Sequence, residues 1–119
     1  MNKIWYLSTC DTCTRIIKEL DLKNKNFEFQ DIKKENISEN ELDEISKSSG
    51  LSYSELFNKR AQKYTKTSLK ETLISEENFK KAILEEYTFL KRPVILVDGE
   101  YFVGNSKKEV VKAKEKLEE

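Results

Sequence analysis

Apolar residues recur along this chain in three rhythms, and each rhythm predicts a different element. Near the start, Ile4-Trp5-Tyr6-Leu7 is a short run of strand formers. Ser8 to Thr12 then turn the chain into a helix, on which Cys13, Ile16, Ile17 and Leu20 mark one apolar face at helical spacing. Asn24 and Asn26 sit in the next turn. Phe27 and Phe29 alternate with Glu28 and Gln30, predicting a second strand that ends near Asp31 and Ile32. The first third therefore reads as a βαβ unit.

The middle of the chain is helical, and its starts are signposted. Ser38 followed by Glu41 forms a capping box, with Ile37 placed to staple onto Leu42. Leu51, Ser52, Glu55 and Leu56 repeat the arrangement, and Ile74, Ser75, Asn78 and Phe79 give a weaker version. Gly50 stands where a helix stop is expected. These signals predict helices near 39–48, 53–57 and 76–84, with a short helical turn around 68–72. They are local starts, since no longer self-similarity follows them.

The last third changes character. Pro93, the only proline, introduces Val94-Ile95-Leu96-Val97, an uninterrupted apolar run suited to a buried strand. Asp98-Gly99 predicts a type I′ hairpin turn, returning through Tyr101-Phe102-Val103. Ser106 with Glu109 caps a final helix bearing Val110, Ala113 and Leu117 on one face. The order is β-α-β, helices, then β-β-α. The expected architecture is one α/β domain over residues 1–119, with a mixed sheet and a helical insertion at about 38–90.

Composition narrows what such a domain can do. Hydrophobic and charged residues each make up 37% of the 119 residues, against about 45–50% and about 25% in an average domain. A small core and a heavily charged surface are expected. Lys plus Arg and Asp plus Glu both count 22. That balance argues against direct nucleic-acid binding by phosphate neutralisation. Histidine is absent, which excludes Ser-His and Cys-His catalysis and any His metal site. Two cysteines cannot complete a four-thiolate zinc site. There is no phosphate loop or dinucleotide fingerprint, so no bound cofactor is expected. The longest apolar run is too short to span a bilayer, and no basic-then-apolar leader opens the chain. A soluble, cytoplasmic protein is the expectation.

The chemistry lies in Cys10-Asp11-Thr12-Cys13. A C-x-x-C pair between a strand and a helix inside a βαβ unit reads as a thioredoxin-like redox motif. Orphan N–H groups and the positive end of the helix dipole favour a thiolate at a helix N-terminus. Cys10, at the outer end, is the expected attacking sulfur; Cys13, one turn in and on the face of Ile16 and Ile17, is the expected resolving sulfur. The alternative is that Cys13 only packs in the core and Cys10 is incidental, since free cysteine is among the most buried residue types. A structural disulfide fits a cytosolic chain poorly.

Taken with these elements, the chain resembles the arsenate reductase/Spx family of thioredoxin-like proteins. The resemblance rests on the opening strand and its Cys10-to-Cys13 motif, Leu56-Phe57-Asn58 before Tyr64, and Leu90-Lys91-Arg92-Pro93. It continues through Val94 to Val97, Asp98-Gly99 and Val103-Gly104. It implies a thioredoxin fold with a helical insertion, and an oxyanion or disulfide substrate attacked by Cys10. Glutathione, glutaredoxin or thioredoxin would supply the electrons. It places Arg92 where a guanidinium can hold an oxyanion or stabilise a thiolate, and it implies a cis bond before Pro93. The family's arsenate-reducing members set three arginines around the cysteine. Here Asn58 stands at the second position, with Arg60 two residues on, and Asn105 at the third. One guanidinium, aided at most by Arg60 or Arg15, is a poor trap for a doubly charged oxyanion. Arg15 and Arg60 otherwise read as solvated surface charges. The resemblance thus implies a thiol-dependent oxidoreductase, with arsenate itself a weaker expectation. Its other branch, Spx, implies a redox-sensing transcriptional regulator that binds RNA polymerase.

Overall fold

A computed structural model describes residues 2–119. The chain divides into two compact units. The first comprises the described residues as far as Glu35 together with Arg92–Glu119, and the second is Asn36–Lys91.

The first unit is a four-stranded mixed sheet with two helices. Its elements are β1 (Asn2–Tyr6), α1 (Asp11–Glu19), β2 (Phe27–Asp31), β3 (Val94–Val97), β4 (Glu100–Val103) and α7 (Lys107–Leu117). The strand order is β2-β1-β3-β4. β1 runs parallel to β2 and antiparallel to β3, and β3 runs antiparallel to β4. This is a mixed α/β sheet in the expected element order, and it is of the thioredoxin-like kind that the resemblance implied. Register explains which side chains are inside. Ile4 pairs with Ile95, and Ile95 with Phe102, putting all three on one face. On that face Ile16, Ile17 and Leu20 of α1 and Val110 and Ala113 of α7 complete the core. The opposite face carries Lys3, whose ammonium lies 4.8 Å from the Trp5 ring centroid and 3.2 Å from Glu28.

Two turns in this unit need backbone that most residues avoid. Asp98 and Gly99 both have positive φ, 47° and 86°, as a type I′ hairpin demands. Gly104, at φ 94°, leaves β4 while its N–H donates to the Pro93 carbonyl at 2.9 Å.

The second unit is helical: α2 (Glu39–Ser49), α3 (Tyr53–Leu56), α4 (Gln62–Thr65), α5 (Leu69–Thr72) and α6 (Glu76–Glu85). Both expected capping boxes are formed, by Ser38 with Glu41 and by Ser52 with Glu55. Ser75 caps α6 through the Asn78 N–H. Gly50 ends α2 at φ 76°. Phe57 is fully buried and meets Tyr64, Phe79 and Phe89 at ring-centroid distances of 5.0, 5.1 and 4.8 Å. Lys80 of α6 reaches Glu39 at 2.8 Å and Asp43 at 3.0 Å, and the Tyr53 hydroxyl donates to Asp43 at 2.6 Å, linking three helices.

Several boundaries differ from the sequence reading for identifiable reasons. β1 starts at Asn2 and stops at Tyr6, because the Leu7 carbonyl is taken by the Cys10 N–H in a turn. α3 ends before Phe57, which adopts extended backbone to bridge Leu90. The 3₁₀ turn Leu22–Asn24 and α4 carry no side-chain cap, and the 3₁₀ turn Tyr87–Phe89 is capped by the Glu86 carboxylate accepting the Thr88 N–H; none of the three was anticipated. At the first of them Asp21 adopts a left-handed φ of 55° and ties back to Asn24. No helix among the described residues is long and apolar enough to cross a membrane.

Candidate functional site

The site is built where β1 hands over to α1. The Cys10 N–H donates to Leu7 O at 3.0 Å, closing a turn whose last residue is the N-cap of α1. Helices usually begin with a hydroxyl or carboxamide accepting a first-turn N–H. Here a sulfur does so: the Cys13 N–H donates to Cys10 Sγ at 3.4 Å. Thr14 reinforces the turn, its N–H and hydroxyl both donating to Cys10 O, at 3.1 and 3.3 Å. The Cys10 sulfur thus lies at the N-terminus of α1 against the Cys13 amide, a setting that favours negative charge.

The two sulfurs sit in opposite environments. Cys10 is partly exposed and Cys13 fully buried, and both are free thiols. Partial burial pushes the Cys10 thiol up. That is outweighed by the hydrogen bonds from Cys13 and by the charge and hydrogen bond of Arg92, so the net shift is below the ordinary value. For Cys13 burial dominates, and with the neighbouring Cys10 sulfur it pushes the thiol up to about 12. When the pair ionises, the charge is therefore favoured on the outer sulfur and the proton stays on the inner one.

Arg92 is half-buried at the entry to β3, and the Arg92–Pro93 bond is cis. The structure thus brings Cys10, Cys13 and Arg92 together, beside Pro93. Of the other candidates, Arg15 on α1 and Asn105, just before the α7 N-cap, are exposed. Asn58 and Arg60 belong to the helical unit. Asn58 is engaged there: its N–H donates to Phe89 O at 2.7 Å, its amide to Thr88 O at 3.4 Å, and its Oδ1 accepts the Arg60 N–H at 3.2 Å. Arg60 is exposed. An open cleft of about 740 Å³ in the same unit is lined by residues of α4, α5 and α6 and the Phe89 turn, none of them a cysteine or arginine. Among the described residues no group of three or more His, Cys, Asp or Glu lies together to hold a metal.

One residue at this site was not singled out from sequence. Asp31, the last residue of β2, accepts the Ser8 N–H on Oδ1 at 3.3 Å, inside the turn that presents Cys10. An aspartate at a strand end needs no further explanation in sequence, so nothing marked it.

A mixed sheet with a C-x-x-C pair opening its first helix, and a cis-proline just before β3, defines a thioredoxin-like fold that carries a thiol pair. The chain belongs to the ArsC family, whose sequence profile matches residues 5–113. Solved structures agree on the fold. The YffB protein superimposes with a TM-score of 0.79 at 19% identity, covering 95% of this chain and 98% of that one. An arsenate reductase from Vibrio cholerae gives 0.78 at 16% identity, covering 93% and 95%. An arsenate reductase (ArsC) related protein from Brucella melitensis gives 0.68 at 23% identity, covering 91% and 89%. No curated protein matches the sequence.

Proposed function

We propose that this ArsC-family protein is a thiol-dependent reductase in which Cys10 is the nucleophile and Cys13 the resolving thiol. The observation that carries the reading is the polarised pair: Cys10 lowered by the Cys13 amide and Arg92 despite its partial burial, and Cys13 buried with its proton three residues on. The Cys10 thiolate attacks one sulfur of an oxidised substrate disulfide, forming a mixed disulfide and expelling the other sulfur as a thiolate. That step removes the negative charge from Cys10, and with it one influence that keeps Cys13 protonated. Cys13 then loses its proton and attacks Cys10 Sγ, releasing the remaining substrate thiolate and leaving a Cys10–Cys13 disulfide. An external thiol, glutathione or a thioredoxin- or glutaredoxin-like partner, returns the pair to the dithiol by the same exchange. Arg92 serves as the fixed cation beside the reacting sulfur. It favours the thiolate before attack and can hold an anionic substrate group against it.

The three-arginine arrangement of the family's arsenate reducers is not repeated in this sequence, and Asn58 is committed to its own loop. These points favour a disulfide over arsenate as the substrate. The test is reduction of a small aliphatic disulfide by purified variants. Cys10→Ser is expected to reduce nothing, and Cys13→Ser to accumulate a substrate adduct on Cys10. Equal turnover in both variants would overturn the assignment. A second reading, a redox-sensing regulator that binds RNA polymerase, is favoured by the retention of both cysteines beside a single site arginine. It predicts capture of polymerase by one redox form of the protein. Failure of both the oxidised and reduced forms to capture polymerase would remove it.

A further inference from the structure

The turn that carries Cys10 is attached to the sheet by a side chain outside the cysteine motif. Asp31 ends β2 directly beside Tyr6, the last residue of β1. Their pairing is continued by the Ile32 N–H, which donates to Tyr6 O at 2.9 Å. From that fixed strand end the Asp31 carboxylate accepts the Ser8 N–H at 3.3 Å and its own Lys33 N–H at 3.2 Å, both on Oδ1. The Ser8 side chain also donates to it. The other oxygen, Oδ2, is buried with no hydrogen-bond partner among the described residues. Burial pushes this carboxyl up, but the hydrogen bonds from Ser8 and Lys33 and the charge of Lys34 outweigh it and hold it below the ordinary carboxylate value, so the folded turn and the charged carboxylate favour each other. What that carboxylate holds is the turn between Leu7 and Cys10.

Ser8 and Thr9 are exposed. Cys10 N–H to Leu7 O, the Cys13 thiol against the Leu7 backbone and the two Thr14 bonds to Cys10 O hold the turn to itself and to α1, whereas Ser8 to Asp31 ties it to the end of β2. The orientation of Cys10 Sγ toward the Cys13 amide depends on where the turn delivers the N-cap. We propose that Asp31 is a positioning residue for the Cys10 thiolate, acting through Ser8 to aim the N-cap sulfur at the first-turn amide and at Arg92. The proposal rests on the reading of Cys10 as the reactive thiolate. Asp31 acts by geometry and against its own charge: a carboxylate near a thiolate disfavours it through space. Loss of a purely electrostatic neighbour would therefore speed Cys10, whereas loss of a positioning residue slows it. The charged groups that bear on the two sites are Arg92 on Cys10 and Lys34 on Asp31.

The opposite signs make a clean experiment. The reduced protein is alkylated with iodoacetamide across pH 4 to 10, and the rate at Cys10 is followed by mass. Wild type is expected to reach half its limiting rate below the ordinary thiol value of 9.0. Asp31→Ala is expected to slow alkylation at pH 6 by about fivefold with an unchanged limiting rate, because less of the sulfur is ionised. Asp31→Asn keeps an acceptor for the Ser8 N–H and is expected to fall between the two. Ser8→Ala, at an exposed position, removes only the hydroxyl contact; about a twofold slowing is expected there, even if Asp31→Ala fails to fold. Unchanged or faster alkylation in Asp31→Ala, or in Ser8→Ala where Asp31→Ala does not fold, would overturn the proposal. So would a fall in stability with the pH profile unmoved, or an Asp31→Asn rate no better than that of Asp31→Ala. A wild-type profile at the ordinary thiol value would instead defeat the reading of Cys10 on which the proposal rests.

Discussion

The two units of this chain spend their polar groups differently. In the helical unit they close helices: Ser38, Ser52 and Ser75 cap, Glu41 and Glu55 answer from the third position, and Asn58 staples one loop to another. Its centre is an aromatic cluster around Phe57. In the sheet unit, polar and ionisable groups sit where stability alone would not put them. A sulfur caps α1, a half-buried guanidinium faces it, and a carboxylate leaves one oxygen unmatched. Local rules followed at three of the five helix starts of one unit and broken repeatedly at one spot of the other separate scaffold from chemistry, because such departures persist where something else requires them.

Variants can break that contrast, and Cys10→Ser should do so most completely. Alkylation of the folded protein at neutral pH falls to background, since the remaining thiol is buried and holds its proton, while the urea midpoint moves little. Phe57→Ala reverses the pattern. Emptying a fully buried ring site among three aromatic neighbours should cost about 3–5 kcal/mol in urea unfolding. The alkylation rate of the molecules still folded should stay at the wild-type value.

Arg92→Ala sharpens the contrast within the sheet unit. Its charge helps hold Cys10 below the ordinary thiol value, so its removal raises that value and thins the thiolate at pH 6. Alkylation there should slow about tenfold, with the rate at high pH unchanged. The sign for stability follows. A depressed thiol contributes stability above its unfolded value and loses it as pH falls through the folded one, and Arg92→Ala narrows that window. Ser38→Ala has the smallest effect. Loss of half a capping box should cost about 1 kcal/mol by urea midpoint, with no change at Cys10.

How far these features were legible in sequence depends on whether their cause is local. Capping boxes, the Asp98-Gly99 turn and the apolar stripe of α1 are decided within a few residues, and the sequence shows them where the structure has them. The Cys10 motif was legible for the same reason, since a helix N-terminus and its first turn are one local object. α4 was missed because it lacks a side-chain cap; it is held from outside its own residues, with Tyr64 packed on Phe57. Phe57 itself read as helix and is bent out of it by Leu90, 33 residues on. Asn58 read as a candidate contact to substrate, whereas its amide and carbonyl are bonded within the helical unit. Asp31 went unmarked because its partner, Ser8, is 23 residues away and paired to it only by the sheet register.

The central claim is that Cys10 and Cys13 work as one redox pair. Equilibrating the protein in graded glutathione buffers, then alkylating and weighing it, tests that claim most directly. The account predicts a reversible two-electron conversion between dithiol and Cys10–Cys13 disulfide, at roughly −200 to −300 mV. A glutathione adduct that accumulates on Cys10 and is never resolved by Cys13, at any buffer ratio, would contradict it.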